Sequence, residues 1–120
     1  MRNGGILVLT CCLLAGQVGA DAESLLQRCR HSGVALAAAT AEQRSAVAYC
    51  YGLLQGVRDL NRLYEIKSPE AAYFCLGNNS LSHSDAAALV VDYLERTPKA
   101  RLQSETTAAV RALRERFPCP

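Results

Sequence analysis

The chain has no tryptophan, one methionine and two phenylalanines among its 120 residues. Its core must therefore come from leucine, valine, alanine and tyrosine, and a small domain built this way buries a limited apolar area. An excess of one charge is also missing. Thirteen basic residues face eleven acidic ones, and lysine and arginine never cluster into a run. That excludes the basic patch of a nucleic-acid-binding surface. No segment alternates apolar and polar residues as a β-strand does. There is no C-x-x-C, no G-x-S-x-G and no H-E-x-x-H, and the only histidines are His31 and His83.

Long apolar runs are missing everywhere except the N-terminus. Met1-Arg2-Asn3 is a short basic start, and Ile6 to Ala15 is apolar, with Leu7, Val8, Leu9, Leu13 and Leu14. Gln17-Val18-Gly19-Ala20 then supplies the small residues that a signal peptidase reads. This is the three-part pattern of a secretory signal, too short for a spanning helix, with cleavage expected after Ala20. An uncleaved anchor is the rival reading. A lipoprotein signal is set aside, because Cys11 and Cys12 lie inside the apolar run without a small residue before them. The expected organisation is a signal over 1–20 and one domain over 21–120, with no membrane contact after cleavage. Loss of Arg2 leaves twelve basic and eleven acidic residues, a net charge of +1.

Four cysteines remain in that domain: Cys29, Cys50, Cys75 and Cys119. An even number in a small exported chain reads as two disulfides. Zinc ligands come in close pairs, whereas these cysteines are 21, 25 and 44 residues apart, so no metal site is expected.

The periodicity is helical throughout. Asp21 to His31 puts Ala22, Leu25, Leu26 and Cys29 on one face, and Gly33 stops it. Val34 to Ala39 is small and apolar, and is expected to form a helical turn against the core. Thr40-Ala41-Glu42-Gln43 is a capping box that opens a long helix to about Tyr64. Its apolar stripe is Val47, Cys50, Leu53, Leu54, Val57 and Leu60. On a second face Ala48, Gly52 and Gly56 recur every four residues. Each mid-helix glycine costs about 1 kcal/mol relative to alanine. Close approach of another helix to that face is the expected compensation. Gln55, Arg58, Asp59 and Arg62 exclude a lipid setting for it.

Ser68-Pro69-Glu70 starts a short turn with Ser capping, and Gly77-Asn78-Asn79 makes another. Ser82-His83-Ser84-Asp85 caps a third helix, whose core face is Ala86, Leu89, Val90, Tyr93 and Leu94. Thr97-Pro98 ends it and can cap a fourth, with the stripe Leu102, Thr106, Val110, Leu113 and Phe117. The expected fold is all-α, a compact four-helix domain. A tight corner makes helices three and four antiparallel, which brings Cys75 near Cys119. The short connection between helices one and two brings Cys29 near Cys50. The expected bridges are Cys29–Cys50 and Cys75–Cys119, with Cys50–Cys75 plus Cys29–Cys119 as the main competitor. Sequence leaves three pairings open.

No catalytic residues are assigned. His31 sits at a helix end and His83 in a polar cap. Either could activate a thiol, but all four cysteines are allotted to bridges. Glu95/Lys99 and Arg111/Glu115 read as solvated pairs at helical spacing. No cofactor is expected, and the chain reads as a binding protein. Its candidate surface is the end of helix two with the loop after it: Arg58, Arg62, Tyr64, Glu65, Lys67, Glu70 and Tyr73. Tyr and Arg are the types enriched at interface hot spots. An ordinary polar loop is the alternative.

Three stretches resemble a known family. Cys50-Tyr51-Gly52-Leu53-Leu54-Gln55-Gly56-Val57-Arg58-Asp59 is similar to the C-x-G-Y-x-x-G segment of the Rap/Tai family of type VI secretion immunity proteins. Phe74-Cys75 resembles that family's F-C before helix three. Tyr93-Leu94-Glu95-Arg96-Thr97-Pro98 with Arg101, and Ala112-Leu113 through Phe117-Pro118-Cys119, resemble its Y-L-x-x-x-P-x-x-R and A-L-x-x-x-F-P-C ending. The likeness covers most of residues 45–120. Leu53 stands in place of the usual aromatic, Gly77 where proline is common, and Leu102 where histidine often follows the arginine. The resemblance implies a periplasmic, disulfide-bonded helical protein, often a homodimer. Such a protein binds a peptidoglycan amidase effector, blocks its cleft and has no chemistry of its own. The Ala48, Gly52 and Gly56 face suits a homodimer or packing within one subunit equally. A periplasmic helical chaperone or stress protein, and a secreted family member without an amidase partner, are the other readings.

Overall fold

The structure, a computed structural model, describes residues 21–120. The expected signal over 1–20 lies outside the described residues. Among them stand four α-helices: α1 (Ala22–Arg30), α2 (Ala41–Lys67), α3 (His83–Arg96) and α4 (Glu105–Arg116). No described segment forms a strand, and the one isolated bridge joins Asp21 to Ser104.

Each helix begins where a short polar side chain can satisfy a free backbone N–H. Asp21 accepts from Ser24 N (3.2 Å), Ser82 from Asp85 N (3.0 Å) and Ser104 from Thr107 N (3.2 Å). At α2 the full capping box forms. Thr40 Oγ1 accepts from Gln43 N at 3.1 Å, and Gln43 Oε1 accepts from Thr40 N at 2.9 Å. The 27 residues of α2 span about 40 Å. That is three residues longer than the sequence implies, because Glu65, Ile66 and Lys67 continue the helix and Ser68 N closes it on Tyr64 O at 2.8 Å.

The core lies where α1, α3 and α4 meet the first half of α2. Ala22, Leu25, Leu26 and Cys29 of α1 are buried, as their spacing predicts. On α3 the buried set is Ala86, Ala87, Val90, Tyr93 and Leu94. Cys29 bonds to Cys50 and Cys75 to Cys119, with Cα atoms 5.3 and 4.8 Å apart. The first bridge joins α1 to α2. The second ties the end of α4 to the loop before α3, where Cys75 N also donates to Phe117 O at 2.9 Å. Arg101 closes the far end of α3 by donating to Leu94 O at 2.9 Å.

Several expectations are corrected. Thr97 does not cap α4. Pro98–Leu102 forms a 3-10 turn, and Ser104 caps the helix instead. Leu102 consequently falls outside α4 and is 84% exposed. The buried face of α4 is Glu105, Ala108, Ala109, Ala112 and Leu113, small residues that let the helix lie close to its neighbours. Ser68 makes no side-chain cap, although Pro69–Ala71 does form a turn. Val34 and Leu36 point to solvent rather than to the core. Glu95 pairs with Arg30 and Glu115 with Arg96, across helices rather than along one. Among the described residues the 31–39 segment shares a cavity with Ala48, but nothing packs on Gly52 or Gly56. All three are exposed, and a Cβ added at Gly52 or Gly56 would meet nothing within 4 Å. Packing among the described residues therefore does not account for these glycines.

Candidate partner-binding surface

The second half of α2 extends past the core, and the chain 72–77 folds back along it. What holds that return in place is Asn61, buried on the inner face of α2. Its Nδ2 donates to Phe74 O at 2.7 Å, and its Oδ1 accepts from Tyr73 N at 2.8 Å. Glu65, one turn on, accepts from Leu76 N at 2.7 Å through Oε1. Its other oxygen accepts from Arg62 Nη1 at 2.7 Å. These two side chains supply the backbone partners that a strand would otherwise provide. Phe74 is thereby fully buried, while Tyr73 beside it stays exposed.

The candidate residues divide into two kinds. Arg58 and Glu65 spend their side chains on neighbouring groups of the fold. Arg58 donates to Leu81 O at 2.6 Å and to His83 Nδ1 at 2.9 Å, and the His83 ring stacks on Tyr51. Arg62, Tyr64, Lys67, Glu70 and Tyr73 are exposed. They do not form one patch. Arg62 sits with Arg58, Asp59 and the 76–81 loop in one cleft, whereas Tyr64 and Tyr73 line another on the opposite side of α2. There the two tyrosines meet edge to face, with ring centroids 6.4 Å apart.

That second cleft lies between α2 and α4 and has a volume of about 470 Å³. Val57, Leu60 and Phe74 contribute its apolar lining, and Arg111 and Arg114 of α4 line it as well. Leu60 was expected in the core and is instead 58% exposed. Leu63 and Ile66 are exposed on the same segment of α2. The sequence candidates did not include Leu60, Arg111 or Arg114, which line this cleft.

A second polar centre lies at the other end of α2. Buried Glu105 accepts from Arg28 at 3.3 Å and from the Tyr49 hydroxyl at 2.5 Å, and the Arg28 guanidinium lies 3.9 Å over the Tyr49 ring. The bond to Glu105 is the first cause of a raised Tyr49 pKa, followed by burial and the Glu105 charge. All three groups are consumed by one another. Among the described residues no cluster of three His, Cys, Asp or Glu could hold a metal ion, and no helix is long and apolar enough to cross a membrane.

The described residues thus form a doubly cross-linked helical domain that leaves aromatic and aliphatic side chains exposed on the second half of α2. The family model of the Rap1a immunity proteins matches residues 21–119, and the chain belongs to that family. No curated protein and no solved structure matches it. The motif residues that carry the likeness do scaffold work here. Phe74 fills the space under the loop, Cys75 and Cys119 bridge, and Arg101 closes α3.

Proposed function

We propose that the protein is exported to the periplasm and that its signal is removed after Ala20. There it binds a peptidoglycan amidase effector delivered by type VI secretion and blocks its active-site cleft, giving self-protection without catalysis of its own. The observation that carries this reading is the family match together with the exposed end of α2, where Tyr64, Tyr73 and Leu60 stand on a frame pinned by Asn61 and the Cys75–Cys119 bridge. A rigid mount lowers the ordering cost of binding. Disulfides fit an oxidising compartment, and Asp21 as the first residue would leave the α1 cap intact.

The Ala48, Gly52 and Gly56 face supports a homodimer. Two glycines weaken α2 there, and among the described residues nothing lies within 4 Å of a Cβ added at either. A second copy lying close along that face supplies the missing compensation.

The test is a pull-down from periplasmic extract with the oxidised protein. One stoichiometric amidase whose activity is lost in the complex establishes the reading. Exposed Leu63 and Ile66 give the chaperone reading its one specific support, and many sub-stoichiometric clients, above all at acid pH, would favour it. Recovery of no partner would favour a family member without an amidase.

A further inference from the structure

The cleft between α2 and α4 is one-sided in charge. Its lining carries Arg111 and Arg114 and no carboxylate. Neither arginine forms an ion pair among the described residues, although six ion pairs occur there, most of them on exposed surface. Of the neutral polar side chains in the lining, Asn61 is spent on the backbone of Tyr73 and Phe74 and Thr107 accepts from Ser104, which leaves Thr106 and the two tyrosine hydroxyls beside the arginines. The opposite wall is the edge-to-face pair Tyr64 and Tyr73, above Val57 and Leu60. An apolar slot faced by two unpaired guanidinium groups is complementary to an apolar side chain with a carboxylate beside it. We propose that this cleft receives an effector segment in which an aromatic or large aliphatic residue is flanked by aspartate or glutamate. The apolar side chain enters between Tyr64 and Val110, and Arg111 and Arg114 hold the flanking carboxylates. This rests on the immunity reading and specifies which surface and which partner chemistry serve it. Arg62, in the other cleft, takes no part.

The test uses two blocked peptides, Gly-Asp-Phe-Asp-Gly and Gly-Lys-Phe-Lys-Gly, titrated into the oxidised protein while the Tyr64 and Tyr73 ring resonances are followed. The acidic peptide is expected to shift them saturably, with at least tenfold preference over the basic one. Arg111→Glu with Arg114→Glu should abolish or invert that preference. Thr106→Trp, which fills the cleft from an exposed position, should remove the response altogether. Equal response to both peptides, no saturable shift, or a shift that survives Thr106→Trp would overturn the proposal. The same variants then go into the pull-down. If the wild-type chain captures an amidase and both variants capture it equally well, the cleft proposal fails and the immunity reading stands. If the wild-type chain captures none, the immunity reading fails while the peptide titration still decides the chemistry of the cleft.

Discussion

Asn61 holds Phe74 by both ends of its peptide environment. It donates to the Phe74 carbonyl at 2.7 Å and accepts from the Tyr73 N–H at 2.8 Å. One buried amide thus fixes the loop that carries Tyr73 to the helix that carries Tyr64. Asn61→Ala leaves those backbone groups without partners, and each buried unsatisfied group costs about 1–3 kcal/mol. We expect a loss of about 2–4 kcal/mol in urea unfolding. Line broadening at Tyr73 should accompany it and should be absent from α1. A stability loss below about 0.5 kcal/mol would mean that water replaces Asn61 and that Glu65, the Cys75–Phe117 backbone bond and the disulfide suffice to hold the loop.

The two disulfides should differ in what they protect. The Cys75–Cys119 bridge closes 44 residues and the Cys29–Cys50 bridge 21. In the chain-entropy model they contribute about 4 and about 3 kcal/mol respectively. Serine at both Cys75 and Cys119 should lower stability by about 4 kcal/mol and also free the loop and the C-terminus. Serine at Cys29 and Cys50 should lower stability by a similar amount yet leave the Tyr64–Tyr73 pair in place. Partner affinity measured on the folded fraction separates them. Equal loss of affinity in both double variants would show that the second bridge does not position the surface.

The helices and both bridges were legible in the sequence for identifiable reasons. Ser, Thr and Asp precede each helix, and large apolar residues mark the inner faces of α1 and α3. What stayed hidden follows from small and polar side chains. The buried face of α4 is mostly alanine, which carries little periodic signal, so Leu102 drew the stripe away from it. Asn61 reads as a surface residue until the backbone of Tyr73 is seen to need it. Arg62 and Tyr64 are two residues apart, yet they face different clefts because they lie about 200° apart around α2. The stretch that carries the candidate residues was visible, but the side of the helix each one faces was not.

Glycine at 52 and 56 gives a two-sided test of the dimer. Among the described residues of one subunit nothing lies within 4 Å of a Cβ at either site. Gly52→Ala and Gly56→Ala should then each raise monomer stability by about 1 kcal/mol through helix propensity. If a second copy lies against this face, the same substitutions weaken self-association, and Gly52→Leu should abolish it. Sedimentation at several concentrations, paired with thermal melts, reads both effects. A wild-type protein that stays monomeric at all concentrations, with both alanine variants stabilised, would remove the dimer.

Tyr49 should make stability fall at alkaline pH. Its pKa is raised above the ordinary 10.0, first by the hydrogen bond to Glu105. A raised pKa means that the folded state favours the protonated phenol. The stabilisation is complete below the unfolded-state value and is lost as pH rises through the folded-state value. The stability of the wild-type chain relative to Tyr49→Phe should therefore be flat through neutral pH and decline above about pH 10. A difference curve that is flat across pH 9–11 would show that the hydroxyl does not bond Glu105 in solution.

Recognition should divide along the two sides of α2. Tyr64 and Tyr73 are exposed and lean on each other, so alanine at both removes an aromatic pair that would be desolvated by a partner. If they are hot spots, the double substitution should weaken effector binding by about 2–4 kcal/mol while leaving the helix content unchanged. Arg62→Ala should cost far less, because that side chain already spends its charge on Glu65 and faces the other cleft. Arg58→Ala should act differently again. It strips Leu81 O and His83 of their donor, so it should lower stability and disturb the entry to α3 before it affects affinity. Calorimetric titration of each variant, with unfolding measured in parallel, distinguishes the three. A large loss of affinity at Arg62 with none at Tyr64 and Tyr73 would move the contact to the 76–81 side of α2.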